Sequence, residues 1–343
     1  MTLAFLELRA DERKVYFDEA AARRGLSPVI VEKDFWVCWL LSILFQSSFR
    51  DAIVFKGGTS LSKVFGVINR FSEDIDLSLA PAFLGLDEPD AMAALSKGQA
   101  SKWMERAETK CTAVVREALA PEISAGLEGQ LGEGESPWLT FEVDAHSHSP
   151  VLLFHYPTKQ PPALDYLKRS VKLEFGSLTE QRPTASHAVR PWIADVLPQT
   201  FGDWQCDVVA LDLHRSFWEK ATILHAEHHR PSDKVTPDRF ARHYADTAAL
   251  ALHADASAAI AQSDLCQRVV RWKRRFFGSA WARYDLAVPP TFRLVPPPER
   301  EAALRRDYQA MRDMYLSEPE PFERILSTLG DVEHRLNMLE GRG

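Results

Sequence analysis

The stretch KGGTSLSKVFGVINRFSEDIDLSL, Lys56 to Leu79, opens on two glycines followed by small hydroxyl residues and closes on two aspartates one residue apart. DAIVFKGG reads as a short buried strand ending in a glycine turn, SLSKVFGVI as a short helix and EDIDLSLA as an alternating strand. On that strand Asp74 and Asp76 stand at i and i+2 and project from one face, with Ile75 and Leu77 on the other. Carboxylates this close repel unless a cation neutralises them, and a hard divalent ion such as Mg2+ (or Mn2+) is the usual oxygen-bound solution. Gly57 and Gly58 let the backbone turn sharply and offer N–H groups to an anion. Thr59, Ser60 and the start of the helix add hydroxyls and a positive dipole end. A DxD strand is often a solvated face and GGTS an ordinary turn. Their order, strand, glycine turn, helix, carboxylate strand, favours a phosphate cradle coupled to a metal-binding face.

Two-metal phosphoryl chemistry needs a third carboxylate on an adjacent strand. SVKLEFGSL alternates, with Val171, Leu173 and Phe175 facing one way and Lys172 and Glu174 the other, so Glu174 is the preferred candidate. Glu142 and Asp144 in TFEVDA are its rivals, and a solvent-facing Lys/Glu stripe is the bland alternative.

The rest of the chain bounds the setting. Its 343 residues suggest two domains, or one with a large extension, and a 45% hydrophobic, 26% charged composition is that of an average soluble globular protein. A net charge of −7 excludes a whole-molecule basic field, so contact with a polyanion must use a local basic patch. Cys38, Cys111, Cys206 and Cys266 are widely spaced and form neither a CxxC motif nor a disulfide framework, which fits a reducing compartment. The N-terminus lacks a secretory h-region, and the longest apolar run, FWVCWLLSILF, is too short to span a bilayer, so a cytoplasmic protein with no membrane contact is expected.

Residues from about Asp11 to Phe45 are expected to be helical, with Ser27 and Pro28 opening the second part. A further helix is expected from about Asp87 to Leu119, an exposed Gly/Glu-rich loop from Gly126 to Pro137, and strands in WLTFEVDA, VLLFHYP and SVKLEFGSL. A long helix begins near Leu213 and helices dominate to the end, interrupted by a Pro-rich extended piece. The outline is a mixed α/β domain over residues 1–200 and a helical domain over 201–343.

With these elements in place, FKGGTSLSKVFGVINRFSEDIDLSL resembles the signature of the AbiEii/AbiGii nucleotidyltransferase toxins, a branch of the DNA polymerase β-like nucleotidyltransferase superfamily. VEKDFWVCWLL resembles the helix that precedes that family's glycine turn, and RSFWEKATILHAEHH and RFARHYADTAAL resemble its later helical motifs. The likeness spans Val31 to Leu250; from about Ala251 onward no motif matches. It implies an α+β fold: a polymerase β-like domain with a small mixed sheet flanked by helices, followed by a mainly helical C-terminal domain. It also implies that Gly58 and Ser60 hold nucleotide phosphates, that Asp74 and Asp76 bind Mg2+, that Lys220 contacts the nucleotide and that Asp246 completes the site. Arg242 stands four residues before Asp246, so the two can pair, and Lys63 flanks the turn as a further positive charge. Glu219, Lys220, Arg242 and Asp246 have a purely structural reading as well, as pairs fixing two helices. The family's founding members are bacterial toxins countered by antitoxins, and relatives transfer NMP from NTP onto RNA, notably tRNA 3′ ends. Transfer to a protein hydroxyl or a small molecule, or nucleotide binding without turnover, are the alternatives.

Three further features stand out. His225, His228 and His229 share one helix, and His225 and His229 stand at i and i+4, a spacing that can bind zinc; without the glutamate of the metalloprotease motif or a third ligand nearby, a wet helix end is expected. His146 and His148 sit in a Ser-rich turn. RVVRWKRRFFG, Arg268 to Gly278, mixes basic and aromatic residues, either to grip RNA or as an amphipathic helix with a basic outer face.

Overall fold

The structure, a computed structural model, describes residues 4–86, 96–145, 147–161 and 168–338. His146 and residues 87–95 of the expected fourth-helix region lie outside these. The chain divides into two compact units, one comprising Met1–Val64, Ser72–Ala94 and Lys102–Ala210, the other Phe65–Phe71, Leu95–Ser101 and Leu211–Gly343.

In the first unit, helices α1 (Ala10–Arg24) and α2 (Pro28–Leu44) are separated by Gly25, whose φ of 66° is the left-handed turn that ends α1. Every residue of α2 from Val29 to Leu44 is buried, which is why its sequence is apolar all round, and charges enter it only as Glu32, Lys33 and Asp34. Strand β1 (Ile53–Lys56) leads into helix α3 (Gly57–Lys63), and β2 (Ile75–Leu79) returns antiparallel to β1. Helix α3 begins on the glycines themselves and ends at Lys63, before the expected Val64–Ile68 turns.

Helix α4 (Lys97–Val114) runs through a π-turn at Val115–Leu119 into α5 (Ala120–Leu131). The expected loop from Gly126 is therefore helical as far as Leu131, anchored by buried Ile123 and Leu127. A β-carbon on Gly126 would come within 3.2 Å of Ile43 Cγ2, so that glycine permits close packing on α2 where composition alone suggests a loop. Strands β3 (Leu139–Val143), β4 (Pro150–Phe154) and β5 (Val171–Gly176) fall in the three expected places. Two further strands, β6 (Thr184–Val189) and β7 (Cys206–Leu211), join them. Between these two strands lie the short helices α6 (Trp192–Val196) and α7 (Pro198–Phe201).

Among the described residues the strands form one mixed seven-stranded sheet in the order β3-β4-β5-β2-β1-β7-β6. The fold is thus α+β as expected, with a larger sheet than the small one inferred. β1 is flanked by β2 and by β7, which runs parallel to it with Phe55 opposite Ala210. β2 runs parallel to β5, with Ile75 opposite Leu173 and Asp76 opposite Glu174.

The second unit is helical: α8 (Leu213–His228), α9 (Ala241–Leu252), α10 (Ala256–Ile260), α11 (Ser263–Phe276), α12 (Pro298–Ala310) and α13 (Phe322–Asn337). α9 packs against α8, α12 and α13, and α11 packs against α8. Among the described residues no helix is long and apolar enough to cross a membrane.

Candidate active site

The device begins where β1 ends. Gly57 has φ of 78°, and a β-carbon there would lie 1.9 Å from Asp76 Oδ2, so the Asp76 carboxylate is packed directly on the glycine turn. Registry places Asp76 between Lys56 of β1 and Glu174 of β5. Residues directly opposite on neighbouring strands share a face, so all three side chains emerge on the same side. Ile75, Leu77, Leu173 and Phe175 are fully buried on the other side and fix the register, because a one-residue slip would turn the carboxylates into the core. Asp74 immediately precedes β2.

The hydroxyls expected to meet phosphates point inward. Thr59 and Ser60 are completely buried. Thr59 Oγ1 donates to the Asp74 carbonyl and lies 3.0 Å from Ser72 Oγ, while Ser60 Oγ donates to the Gly57 carbonyl at 2.9 Å. Their work in this structure is to lock the glycine turn and the backbone of the aspartate strand together. Gly58 is buried inside the same turn.

Strand order also separates the rival third carboxylates. β3, which carries Glu142, is divided from β2 by β4 and β5, whereas Glu174 lies next to Asp76. Glu174 Oε2 accepts from Lys172 Nζ at 2.7 Å, and Oε1 from Ser147 Oγ at 3.1 Å. Asp144, just beyond β3, reaches the same ammonium at 3.4 Å. Burial alone would lower the pKa of Lys172, but Glu174, with Asp74 and Asp144 adding their charges, raises it above its ordinary value.

Among the described residues no group of three or more His, Cys, Asp or Glu side chains converges as a metal-binding cluster. The donors on this face nevertheless fit a hard cation: Asp74 and Asp76 offer only carboxylate oxygens, and the glycine leaves the Asp76 carboxylate in a cradle that a β-carbon would fill.

Behind the turn, the charges of α2 are each paired. Lys33, 1% exposed, donates to Glu73 and to the Lys168 carbonyl, so it ties the approaches to β2 and β5 together. Glu32 accepts from Thr158, and burial, only partly offset by that bond, pushes its pKa up to about 7. Lys63, expected beside the nucleotide, instead donates to buried Asp34 at 2.6 Å and lies over the Trp192 ring. Burial works against its charge, but Asp34 more than restores it. Asp34 also accepts from the Trp192 backbone N–H at 2.7 Å, so this pair holds α2, α3 and α6 together.

In the second unit Asp246 is 1% exposed and accepts from Arg70 Nε at 2.9 Å, Arg70 Nη2 at 2.8 Å and Lys220 Nζ at 2.6 Å. Burial would raise its pKa, but the two cations outweigh that and hold it well below the usual carboxylate range. The expected Arg242–Asp246 pair is thus replaced by Arg70–Asp246, a contact 176 residues apart in sequence. Arg242 is half-buried and close enough that its charge, after burial and Arg70, depresses the pKa of Lys220. Glu219 turns the other way, to Arg215 at 2.9 Å and Lys273 at 2.8 Å, and these offset burial to leave its pKa at about 2. Sequence reasoning passed over Arg70 and Lys33. Their signal was a long basic residue inside an apolar run, within the opening stretch and within α2.

The histidines do not form a wet helix end. His225 is completely buried, accepts from the Arg293 N–H on Nδ1 and donates from Nε2 to the Arg283 carbonyl, while His228 donates to the Val295 carbonyl. They dock the 283–295 segment on α8. On α11, Trp272 and Phe276 are buried in the core, while Arg271, Arg274 and the following Phe277 are exposed.

The chain thus joins a mixed-sheet unit, whose glycine turn carries a strand-borne carboxylate, to a helical unit with a buried Lys–Asp–Arg cluster. The chain belongs to the family of the nucleotidyl transferase AbiEii toxin of type IV toxin–antitoxin systems, which it matches over residues 39–328, and it is therefore a nucleotidyltransferase. The match begins after Asp34 and extends well past Ala251, so it includes C-terminal helices in which no motif was recognised. Among solved structures, the nucleotidyltransferase toxin MenT4 from Mycobacterium tuberculosis H37Rv is similar over 94% of this chain and 98% of its own, at 16% identity and a TM-score of 0.43. Among curated proteins no sequence matches.

Proposed function

We propose that this chain is the Mg2+-dependent toxin of a toxin–antitoxin pair and transfers NMP from an NTP to an RNA acceptor, the 3′ end of a tRNA foremost. The observation that carries this reading is the Asp76 carboxylate packed on the Gly57 backbone with Glu174 in register beside it. Asp74 and Asp76 would hold Mg2+ or Mn2+. When bound, the ion supplies neutralising charge for the triphosphate and for in-line displacement of pyrophosphate at the α-phosphate.

The chain's own groups do the remaining work. Gly57 and Gly58 carry no side chains to keep phosphate oxygens from their N–H groups. Buried Thr59 and Ser60 hold that turn in shape. Glu174 orients the acceptor hydroxyl and receives its proton. Lys220 would contact the nucleotide and Asp246 would complete the site, as the family resemblance implies, with Arg70 fixing the aspartate. The exposed Arg271 and Arg274 supply charge for an RNA backbone. Four buried free cysteines suit the reducing cytoplasm, where a cognate antitoxin protein would be met.

The test incubates the protein with Mg2+, each α-labelled NTP in turn, and total RNA or cell lysate. Label on RNA that disappears with Asp76→Asn is expected. Label on protein or on a small molecule would replace the RNA acceptor, and no label anywhere would leave a nucleotide-binding module without turnover.

A further inference from the structure

Within the helical unit, residues 67–70 meet α9, α12 and α13 around a cavity of about 330 Å3. Backbone contacts fix its walls. Arg70 forms a β-bridge with Tyr315, the Phe71 N–H donates to the Met314 carbonyl at 2.7 Å, and the Leu316 N–H donates to the Asn69 carbonyl at 3.2 Å. The space is therefore preformed, and its volume is that of a small-ligand pocket, well above the voids of a packed core.

The lining is chemically mixed. The rings of Tyr308 and Tyr315, edge to face at 5.6 Å, and the side chains of Ile68 and Ile325 supply apolar surface. Asn69 and Ser317, joined at 2.5 Å, supply amide and hydroxyl groups. Each ionised side chain in the lining faces an opposite charge: Arg70 pairs with Asp246 at 2.8 Å, Arg324 with Glu320 at 3.3 Å, and Glu318 with Arg312 at 2.7 Å. A charged ligand would have to compete with these ion pairs. A neutral flat ring with hydrogen-bonding edges would not, and it suits aromatic walls. The chain is a nucleotidyltransferase, and the neutral flat rings that nucleotide substrates carry are their bases.

We propose that this cavity seats a purine or pyrimidine base. Lys220, read above as the contact of the NTP, is not among the lining residues, so the expected base belongs to the acceptor, an assignment that rests on the RNA reading.

The test uses the full-length protein and the four ribonucleosides, which carry no phosphate and need no metal, in saturation-transfer NMR. Ala249 lines the cavity on α9, and Ala249→Phe puts a ring into it. Wild type should transfer saturation to the base protons of at least one nucleoside, and Ala249→Phe, with a native circular dichroism spectrum, should lose most of that signal. No signal from any nucleoside, or an undiminished signal in Ala249→Phe, overturns the proposal. In the transfer assay, a KM for RNA at least tenfold higher in Ala249→Phe, with the KM for NTP unchanged, places an acceptor base in the cavity. A rise confined to the NTP places the NTP's base there instead, and a rise in neither overturns the site. Should Ala249→Phe fail to fold, wild type labelled at the isoleucine δ-methyls serves: the Ile325 resonance, assigned with Ile325→Val, shifts as nucleoside is added, and an unmoved resonance overturns the proposal. Nucleoside binding without any transfer to RNA would refute the RNA reading alone.

Discussion

At Gly57 the backbone takes φ of 78°, and the space of a β-carbon belongs to the Asp76 carboxylate. Gly57→Ala therefore strains the turn by about 1–3 kcal/mol and drives the carboxylate off its seat. Nucleotidyl transfer should fall by at least a hundredfold in Gly57→Ala while its circular dichroism spectrum stays native; activity within twofold of wild type would show that the seat of Asp76 is unimportant. Asp246 poses a different residue-scale problem, because it is buried between two cations. Removing it strands both, so Asp246→Ala should cost about 3–5 kcal/mol in denaturant unfolding. The pH sign follows from its depressed pKa. Its contribution is fully present above the unfolded value, about 3.9, and fades as acid protonates it toward the lower folded value. The stability gap between wild type and Asp246→Asn should thus be constant near neutrality and shrink below about pH 4.

Among elements, β1–α3–β2 was legible because its glycines, its alternation and its paired aspartates each speak for a local conformation. Position β5 was legible for the same reason, and its alternation singled out Glu174. What stayed hidden depends on distant partners. The helix through Gly126 forms because the missing side chain lets α5 approach Ile43, and β6, with mostly exposed residues in TASHAV, has no apolar stripe to announce it. The inward turn of Thr59 and Ser60 and the capture of Lys63 by Asp34 are tertiary facts that composition does not encode. Helix α8 shows the same limit, since its histidines look like a polar end but His225 is buried and neutral. Burial pushes its pKa down to about 4 from the ordinary value near 6.5. The unfolded chain binds that proton first, so stability falls as pH drops from about 6.5 to 4, by about 3 kcal/mol in all. His225→Gln can keep both backbone hydrogen bonds and should remove this part of the acid slope in thermal melts; an unchanged slope would assign it to other groups.

For the whole molecule, family membership makes the chain a nucleotidyltransferase, and its net charge of −7 means that the RNA acceptor proposed above would have to be met by a local basic patch. Helix α11 presents Arg271 and Arg274 outward while its aromatics are spent on the core. Arg271→Glu with Arg274→Glu should raise the KM for the RNA acceptor severalfold and flatten its salt dependence, leaving the KM for NTP unchanged. An equal rise in both KM values would mean the change had damaged the fold or the nucleotide site instead. The central claim is that Asp76, seated on the glycine turn, is indispensable to transfer. Pyrophosphate release in the presence of Mg2+, NTP and total tRNA measures it most directly. The account predicts RNA-dependent release by wild type and a loss of at least a thousandfold in a folded Asp76→Asn; release that persists in Asp76→Asn would contradict it.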